Sequence, residues 1–174
     1  MCIITIDFEA SCLPRHGRSF PIEVGIADGV SARSWLIRPH DSWAGWAWTA
    51  EAEALHGLSR QRIMDEGQPV TVVLAELAAA TQGRQVVADS LIDQYWLDTL
   101  ADAVGVPSPF RIQHVAALID AQGADDRQVD AAVAFADAQG AIRHQAAGDA
   151  LWLWALVAHI GGVIAPAPVM LAAQ

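Results

Sequence analysis

The sequence predicts an α/β protein in which helices cover both sides of a mixed central sheet. Three runs rich in β-branched and apolar residues open the chain, and such runs are typical of strands. Helical patterns and further short apolar runs follow them to the end of the chain. This order, strands first and then mixed helices and strands, favours a mixed sheet that is antiparallel through its first three strands.

The first three strands are predicted at residues 2–8, 20–27 and 34–38. The first begins with the run CIITI, whose β-branched apolar residues are typical of a strand covered on both faces. Pro14 and Gly17 mark the loop that follows it. Gly29 supplies a hairpin turn between the second and third strands.

Helices are predicted from apolar periodicity and from residues that begin or end a helix. Gly57 ends a helix over residues 50–56, and Ser59 is placed to cap the next turn. Pro69 begins a helix over residues 69–80 whose apolar residues share one face. The remaining predicted elements are strands at 85–88 and 110–115 and helices at 92–104, 125–139 and 146–160.

Length and composition predict one domain over residues 1–174, with a sizeable core. The chain is 53% hydrophobic and its mean hydropathy is +0.29, although alanine accounts for much of this. No basic and apolar leader precedes the first strand, so a cleaved signal peptide is not expected. Cys2 and Cys12 do not have a metal-binding spacing and do not suggest a disulfide framework. We therefore expect a cytoplasmic protein.

The last 25 residues are almost free of ionisable groups, since His159 is the only such side chain after residue 149. A stretch of this kind passes a crude test for a membrane span. Gly161, Gly162 and the prolines beyond them interrupt it, however, and leave an apolar helix too short to cross a bilayer. We therefore interpret it as a core helix and expect no membrane partner.

The chain is acidic, with a formal net charge of −10, and all ten of its basic residues are arginine. This balance disfavours tight non-specific binding to duplex nucleic acid, which depends on neutralising phosphates. It does not exclude an enzyme that contacts a few nucleotides and meets phosphate through metal ions.

Acids stand at three widely separated places where a strand ends or a helix begins. They belong to the stretches DFE (7–9), DSLIDQYWLDTL (89–100) and HQAAGDA (144–150). Asp7 and Glu9 are two residues apart on one predicted strand, so they point to the same face. Two neighbouring carboxylates repel each other and resist burial unless a cation meets them. The first strand therefore indicates a functional site.

These stretches together resemble the DEDDh superfamily of 3'-5' exonucleases, which includes proofreading subunits of polymerases, oligoribonuclease and ribonuclease T. In that family the first motif is Asp-x-Glu, the second holds an Asp early in a helix, and the third is His-x-x-x-x-Asp. His144, Ala146 and Asp149 match the third motif in its His-x-Ala-x-x-Asp form. The segment LHGLS (55–59) is similar to a His-Gly-Ile/Leu-Ser/Thr segment that the family often carries between the first two motifs.

The resemblance implies a ribonuclease H-like fold and removal of nucleotides from 3' ends as 5'-monophosphates. Such hydrolysis needs charge neutralised at the attacking and leaving oxygens, which two metal ions can do. Mg²⁺ or Mn²⁺ would find hard oxygen ligands in Asp7, Glu9, Asp93 and Asp149. By the family's division of labour, Asp7 bridges both ions, Glu9 and Asp149 complete one site, and Asp93 serves the other. His144 would be the general base, because histidine titrates near neutrality.

The second motif leaves two candidates, because the family's usual His-Asn pair is missing here. We favour Asp93, since bulky residues follow it on the predicted helix, and Asp89 is the alternative. Each acid also has a structural explanation. Ser90 and Asp93 have the spacing of a capping box, and Asp149 is placed where a helix dipole favours an acid. His144 alone would more often be a surface residue.

The predicted substrate is a 3' end of single-stranded RNA or DNA, since nothing in the sequence indicates reading of a duplex groove. The resemblance implies that Phe8, Ala10 and His56 contact the terminal nucleotide, with the backbone after Glu9 near its ribose and the Phe8 side chain itself in the core. His56 could equally do no more than end a helix before Gly57. Three tryptophans at 43, 46 and 48 could stack bases, but packing of a loop against the sheet is the simpler interpretation for at least two of them.

Three further hypotheses remain at this point. The apolar segment 163–173 could support a homodimer, as in many members of the family. The unusual second motif allows a catalytically weak or inactive member that binds nucleic acid or a protein. An acidic domain that binds magnesium or calcium without hydrolysis is the third.

Overall fold

A computed structural model describes residues 3–162 of the chain, and these residues form one five-stranded sheet with helices on both faces. Cys2 of the predicted first strand and the whole segment 163–173 lie outside the described residues. The strands, in chain order, are β1 (Ile3–Ala10), β2 (Pro21–Ala27), β3 (Ala32–Leu36), β4 (Gln85–Ala88) and β5 (Ile112–His114).

Seven α-helices accompany the strands in the described part of the chain. They are α1 (Ala50–His56), α2 (Arg60–Glu66), α3 (Val70–Thr81), α4 (Ile92–Asp102), α5 (Val115–Gln122), α6 (Asp126–Ala138) and α7 (Ala146–Ile160). Single turns of 3₁₀ helix occur at Pro14–His16 and Asp41–Trp43. None of the helices within residues 3–162 is both long enough and apolar enough to cross a membrane.

The sheet has the order β3-β2-β1-β4-β5 and is mixed, as the sequence predicts. β1 and β3 both run antiparallel to β2, whereas β4 lies parallel to β1 and β5 parallel to β4. The pairs between β1 and β4 involve only Ile3, Ile4 and Thr5 of β1. β1 therefore continues beyond the carboxyl end of β4, and the carboxyl ends of parallel strands are where ligands bind in α/β sheets.

The alternation of β1 divides the core into two layers. Ile4, Ile6 and Phe8 are buried in the larger cluster, together with residues of α3 and α4. The opposite face, which carries Thr5, is covered by α7, and the Thr5 hydroxyl donates to the Ala150 carbonyl at 2.6 Å. A smaller cluster joins α5, α6 and α7. Because side chains alternate along a strand, Asp7 and Glu9 lie on the face that α7 covers.

Most predicted elements are confirmed, and the differences lie in short ones. The strand at 85–88 has the predicted bounds, and the helices predicted at 50–56 and 146–160 also match. Helices α2 and α5 were not predicted: Ser59 does cap a turn, but this turn continues as α2. The strand predicted at 110–115 is shortened to β5, because His114 accepts a hydrogen bond from the Ala116 N–H and thereby begins α5. Both missed helices lack a strong apolar stripe.

The three tryptophans pack a loop against the sheet, as the simpler interpretation holds. Trp43 is 3% exposed and stacks on Phe20 with ring centroids 5.4 Å apart. Trp46 and Trp48 are partly buried against the same cluster, and the Trp48 indole N–H donates to Glu53 at 2.6 Å. Burial of this kind accounts for all three rings without a ligand.

Candidate active site

Three acids from two distant segments converge where β1 meets the start of α7. One carboxylate oxygen each of Asp7, Glu9 and Asp149 lies within 4.8 Å of the others. All three side chains are partly buried. Carboxylate oxygens this close can share one divalent cation.

Asp93 approaches the same place from α4. Its side chain is buried, and Oδ1 accepts a hydrogen bond from the backbone N–H of Phe8 at 3.2 Å. This bond uses a β1 donor in the part of the strand that lies beyond its pairing with β4. The capping-box explanation is wrong here, because the Asp93 carboxylate faces β1 while Ser90 accepts from the Ile92 N–H at 3.2 Å.

Asp89 lies just beyond the carboxyl end of β4 and is exposed at the rim of the cluster. Desolvation of its carboxylate and the charge of Asp149 raise its pKa, while Arg143 and His114 lower it. The charge of Asp89 in turn raises the pKa of both Asp7 and Asp93. Both second-motif acids are thus near the site, but only Asp93 is buried in it.

The pKa values of the clustered acids are raised by burial and by one another's charges, as expected for a cation site without its cation. Burial, followed by the charges of Asp93, Glu9, Asp149 and Asp89, raises the pKa of Asp7 well above its usual value. Burial and the charge of Asp149 raise the pKa of Glu9 to about 8. Burial and the charge of Asp89 raise the pKa of Asp93 to about 8. A metal ion would reverse these shifts, because it favours the ionised form.

The loop before α7 holds the third-motif residues against Asp149. His144 has a positive φ of 61°, and its backbone N–H donates to Asp149 Oδ2 at 2.7 Å. Arg143 donates to the other oxygen, Oδ1, through its Nε. The imidazole of His144 is exposed and is not among the ligand atoms that converge. The structure therefore places the His144 backbone against Asp149 and leaves its side chain exposed.

The predicted contacts to a terminal nucleotide share one cavity. Phe8, Ala10 and His56 all line a cavity of about 210 Å³ that also contains Glu9 and Trp96. Phe8 is nevertheless 4% exposed and belongs to the core, as the alternation of β1 predicts. The three residues are thus brought together next to a carboxylate of the cluster.

Two glycines and one glutamate that shape the site were missed by the sequence analysis. A Cβ on Gly25 would lie 2.1 Å from the backbone carbon of Ala146, so β2 and α7 are in backbone contact there. A Cβ on Gly148 would lie 1.9 Å from the Ile142 carbonyl oxygen, so the loop folds tightly over the helix start. A glycine inside a strand pattern and another inside a helix pattern were the available signals.

The missed glutamate is Glu23, which stands opposite Glu9 in the register of β1 and β2. It is 9% exposed, and its Oε2 accepts from the Ala146 N–H at 3.2 Å. Its Oε1 accepts from the Ser34 hydroxyl at 2.6 Å. Glu23 therefore ties the start of α7 to the sheet and adds a further negative charge near Glu9. Its sequence context, an acid within an apolar strand, was the signal.

Comparison with solved structures identifies the fold. A full-length 3'-exonuclease superimposes with a TM-score of 0.65 at 15% identity, over 90% of this chain and 79% of that one. E. coli exonuclease I in complex with a dT13 oligonucleotide gives a TM-score of 0.61 at 10% identity, over 90% of this chain and 39% of that one. The complex of E. coli exonuclease I with a dA16 oligonucleotide gives 0.60 at 11% identity, over 90% and 40%.

The chain thus spans most of the first of these proteins and about two fifths of the exonuclease I structures. A scan against protein-family models and a search of curated proteins found no match. The resemblance to 3'-5' exonucleases of the DEDDh type is confirmed as one of fold: the chain has an α/β, ribonuclease H-like nuclease fold.

Proposed function

We propose that this protein is a metal-dependent 3'-5' exonuclease that removes nucleotides from the 3' ends of single-stranded nucleic acid and releases nucleoside 5'-monophosphates. The observation that supports this most is the convergence of Asp7, Glu9 and Asp149 within 4.8 Å, in a fold shared with solved exonucleases. Partly buried carboxylates that lie close together are costly for the fold unless a cation meets them. Their convergence from segments about 140 residues apart in the chain therefore favours a functional site.

The residues present fit two divalent cations, and Mg²⁺ or Mn²⁺ matches their hard oxygen ligands. Asp7, Glu9 and Asp149 would hold one ion, and Asp7 with Asp93 the other. When bound, the ions would supply positive charge to the attacking and leaving oxygens of the phosphodiester. The raised pKa values of Glu9 and Asp93 support this assignment, because such acids are costly to ionise in an empty site.

The protein's own groups would perform the remaining tasks. The imidazole of His144 would accept the proton of the attacking water, since the side chain is exposed, the residue's backbone is hydrogen-bonded to Asp149, and histidine is the most frequent general base. The backbone of His144 has a positive φ, which non-glycine residues rarely adopt and which is common at functional sites. The cavity lined by Phe8, Ala10 and His56 would hold the terminal nucleotide.

Single-stranded substrates are supported by two observations. The solved exonuclease I structures named above contain dT13 and dA16 oligonucleotides. The net charge of −10 also disfavours extended contact with a duplex.

The test is an assay with a 5'-labelled oligonucleotide, incubated with MnCl₂ or with EDTA. We expect stepwise shortening from the 3' end that requires the metal and is lost in Asp7→Ala. Asp130→Ala, an exposed acid on α6, is the matched control and should retain activity. Binding of the oligonucleotide without any shortening would contradict the proposal and would favour a non-catalytic binding protein.

A further inference from the structure

A second cavity shares His56 with the small cavity and has no role so far. Its volume is about 600 Å³, which is within the usual range for ligand sites. Residues of β2, β3, the α1–α2 region and the start of α7 line it. Glu23 and Gln145 are part of this lining, so the cavity adjoins both Glu9 and the loop of His144.

His56 contributes a buried donor without an acceptor to the wall between the two cavities. Its Nδ1 accepts the Leu58 backbone N–H at 3.0 Å, so Nδ1 carries no proton. Burial lowers the pKa of His56, and the neutral ring therefore carries its proton on Nε2. That Nε2 has no hydrogen-bond partner among the described residues, although the side chain is only 7% exposed. A buried donor of this kind requires an acceptor from a ligand or from water.

Gln68 also lines this cavity and contributes the complementary unpartnered group. Its backbone is fixed beside β3, because its N–H donates to the Leu36 carbonyl at 2.8 Å and its carbonyl accepts from the Arg38 N–H at 2.9 Å. Its side-chain Oε1 is buried and has no partner in the part of the chain that the structure describes. The same cavity thus lacks an acceptor for His56 and a donor for Gln68.

The charges around the cavity allow it to take a phosphate group. Arg33 and Arg62 both line it. Glu66 is also in the lining, and it pairs with Arg62, whose Nε lies 2.9 Å from Oε2. Glu23 already accepts two hydrogen bonds from the protein. The arginine side chains are exposed and can reach a backbone phosphate at the mouth of the cavity.

We propose that this cavity is the subsite for the nucleotide that precedes the terminal one, with Arg62 contacting its phosphate and His56 and Gln68 contacting its sugar or base. This inference rests on the proposed exonuclease function. A phosphodiester joins two nucleotides, so a centre that cleaves it needs a subsite on each side of the carboxylates. Glu9 lines the small cavity, its partner in the strand register, Glu23, lines the large one, and His56 belongs to both. Sugars and bases carry both donors and acceptors, as the two unpartnered groups require.

The first experiment measures the affinity for a 5'-fluorescein-labelled octathymidylate by anisotropy, with CaCl₂ to support binding. For Arg62→Gln we expect a Kd about five- to tenfold higher than that of the wild type, because a charged phosphate contact is lost. The dependence of log Kd on log salt should also become shallower by about 0.7, the value for one phosphate of a single strand. Arg60→Gln is the control: this residue is exposed on the same helix but does not line the cavity. Equal effects of the two variants would overturn the proposal.

The second experiment compares two substitutions of His56. An asparagine can place an oxygen near the position of Nδ1 for the Leu58 N–H and removes the Nε2 donor. A glutamine can place an N–H near the position of Nε2 and removes the acceptor for Leu58. A ligand-binding role predicts that His56→Gln binds the octamer more tightly than His56→Asn, even if it melts at a lower temperature. The opposite order of affinities, or no difference, would contradict the subsite.

A third experiment tests hydrolysis separately from binding at the subsite, so that the two proposals can fail independently. Wild-type protein is given the p-nitrophenyl ester of thymidine 5'-monophosphate with MnCl₂, a substrate that contains a single nucleotide. Release of p-nitrophenol supports hydrolysis at the carboxylates whatever the outcome at Arg62. If the ester is not hydrolysed while Arg62→Gln still weakens binding of the octamer, the hydrolase proposal fails and the cavity remains a nucleotide site. If the wild type binds no octamer, the subsite is overturned.

Discussion

Asp7 experiences the charges of four other acids, Asp93, Glu9, Asp149 and Asp89, in addition to its burial. In a protein without metal this carboxylate opposes folding, since its ionised form loses water and meets like charges. The same property makes it a strong ligand once a cation is present. One residue thus connects the stability of the protein to the occupancy of its site.

Asp7→Asn should raise the melting temperature of the metal-free protein, because asparagine keeps the shape and removes the charge. A gain of about 1–2 kcal/mol corresponds to roughly 2–8 °C for a chain of this size. The rise that MnCl₂ produces in the wild type should be lost or much reduced in the variant. Differential scanning fluorimetry with EDTA and with MnCl₂ measures both effects.

Asp130→Asn on the surface of α6 is the control for this substitution and should change neither value. A metal-free Asp7→Asn protein that melts at or below the wild-type temperature would show that Asp7 is not under electrostatic stress.

Arg143 neutralises part of the cluster when no metal is bound. It pairs with Asp149 and lies over the ring of Trp152, with 4.3 Å from the guanidinium carbon to the ring centroid. The Trp152 indole N–H donates to Asp137 at 2.8 Å, which fixes the ring. Arg143 therefore competes with a cation for one oxygen of Asp149.

Arg143→Gln should bind Mn²⁺ about two- to fivefold more tightly, as expected for the loss of a partly exposed ion pair of about 0.4–1 kcal/mol. Its metal-free form should melt at a lower temperature than the wild type. Titration of free Mn²⁺ by electron paramagnetic resonance gives the affinity, with Arg127→Gln on α6 as the control. Weaker Mn²⁺ binding would mean instead that Arg143 helps to assemble the site.

At the level of secondary-structure elements, the contact between β2 and α7 positions Asp149. Gly25 permits backbone contact with Ala146 and Ala147, and Thr5 and Glu23 hydrogen-bond to α7 on either side. All three residues belong to strands that carry or flank the acids of β1. The distance between Glu9 and Asp149 thus depends on the packing of a helix against a sheet.

Gly25→Ala should destabilise the protein by about 3 kcal/mol or more, because its Cβ would meet backbone atoms that cannot rotate away. It should also weaken Mn²⁺ binding in the fraction that folds, since α7 must move away from Glu9. Urea unfolding and a Mn²⁺ titration measure the two effects. Gly83→Ala is a control with open space around its Cβ; its φ of 72° should cost only about 1 kcal/mol. Similar losses in both variants would contradict the close packing.

For the whole molecule, the raised pKa values connect stability to pH. Glu9 and Asp93 have pKa values of about 8 in the metal-free fold, whereas they titrate near pH 4 in an unfolded chain. Between these values the native state holds protons that the unfolded state has released. The free energy of unfolding must then fall as pH rises.

We expect the metal-free protein to lose stability between about pH 5 and pH 8 through these two groups, and to level off above that range. MnCl₂ should oppose this loss, because metal binds the ionised carboxylates. The difference in melting temperature between MnCl₂ and EDTA should therefore increase from pH 6 to pH 8. Melting curves at four pH values test this, with Glu9→Gln as the comparison. A difference that is constant with pH would contradict the raised pKa values.

The alternating pattern of residues 3–10 was sufficient to predict a buried strand, its two faces and the carboxylates on one of them. The helices with a clear apolar face or clear end residues were also predictable, as α3 and α7 show. Helices α2 and α5 were not, because α2 buries only Ile63 and α5 only Val115 and Leu118, which is too few residues to give an apolar periodicity.

The order of motifs along the chain identified Asp7, Glu9, Asp93, Asp149 and His144 as candidates, because local pattern and residue type are properties of short segments. Which oxygens converge, which acid of the second motif is buried, and which cavity His56 faces depend on contacts between residues far apart in the chain. Asp93 hydrogen-bonds to Phe8, which is 85 positions away in the sequence, and Ala146 hydrogen-bonds to Glu23, which is 123 positions away. Such contacts form only when α4 packs against β1 beyond the end of β4 and α7 packs on the sheet, so the arrangement of the site is a consequence of tertiary packing.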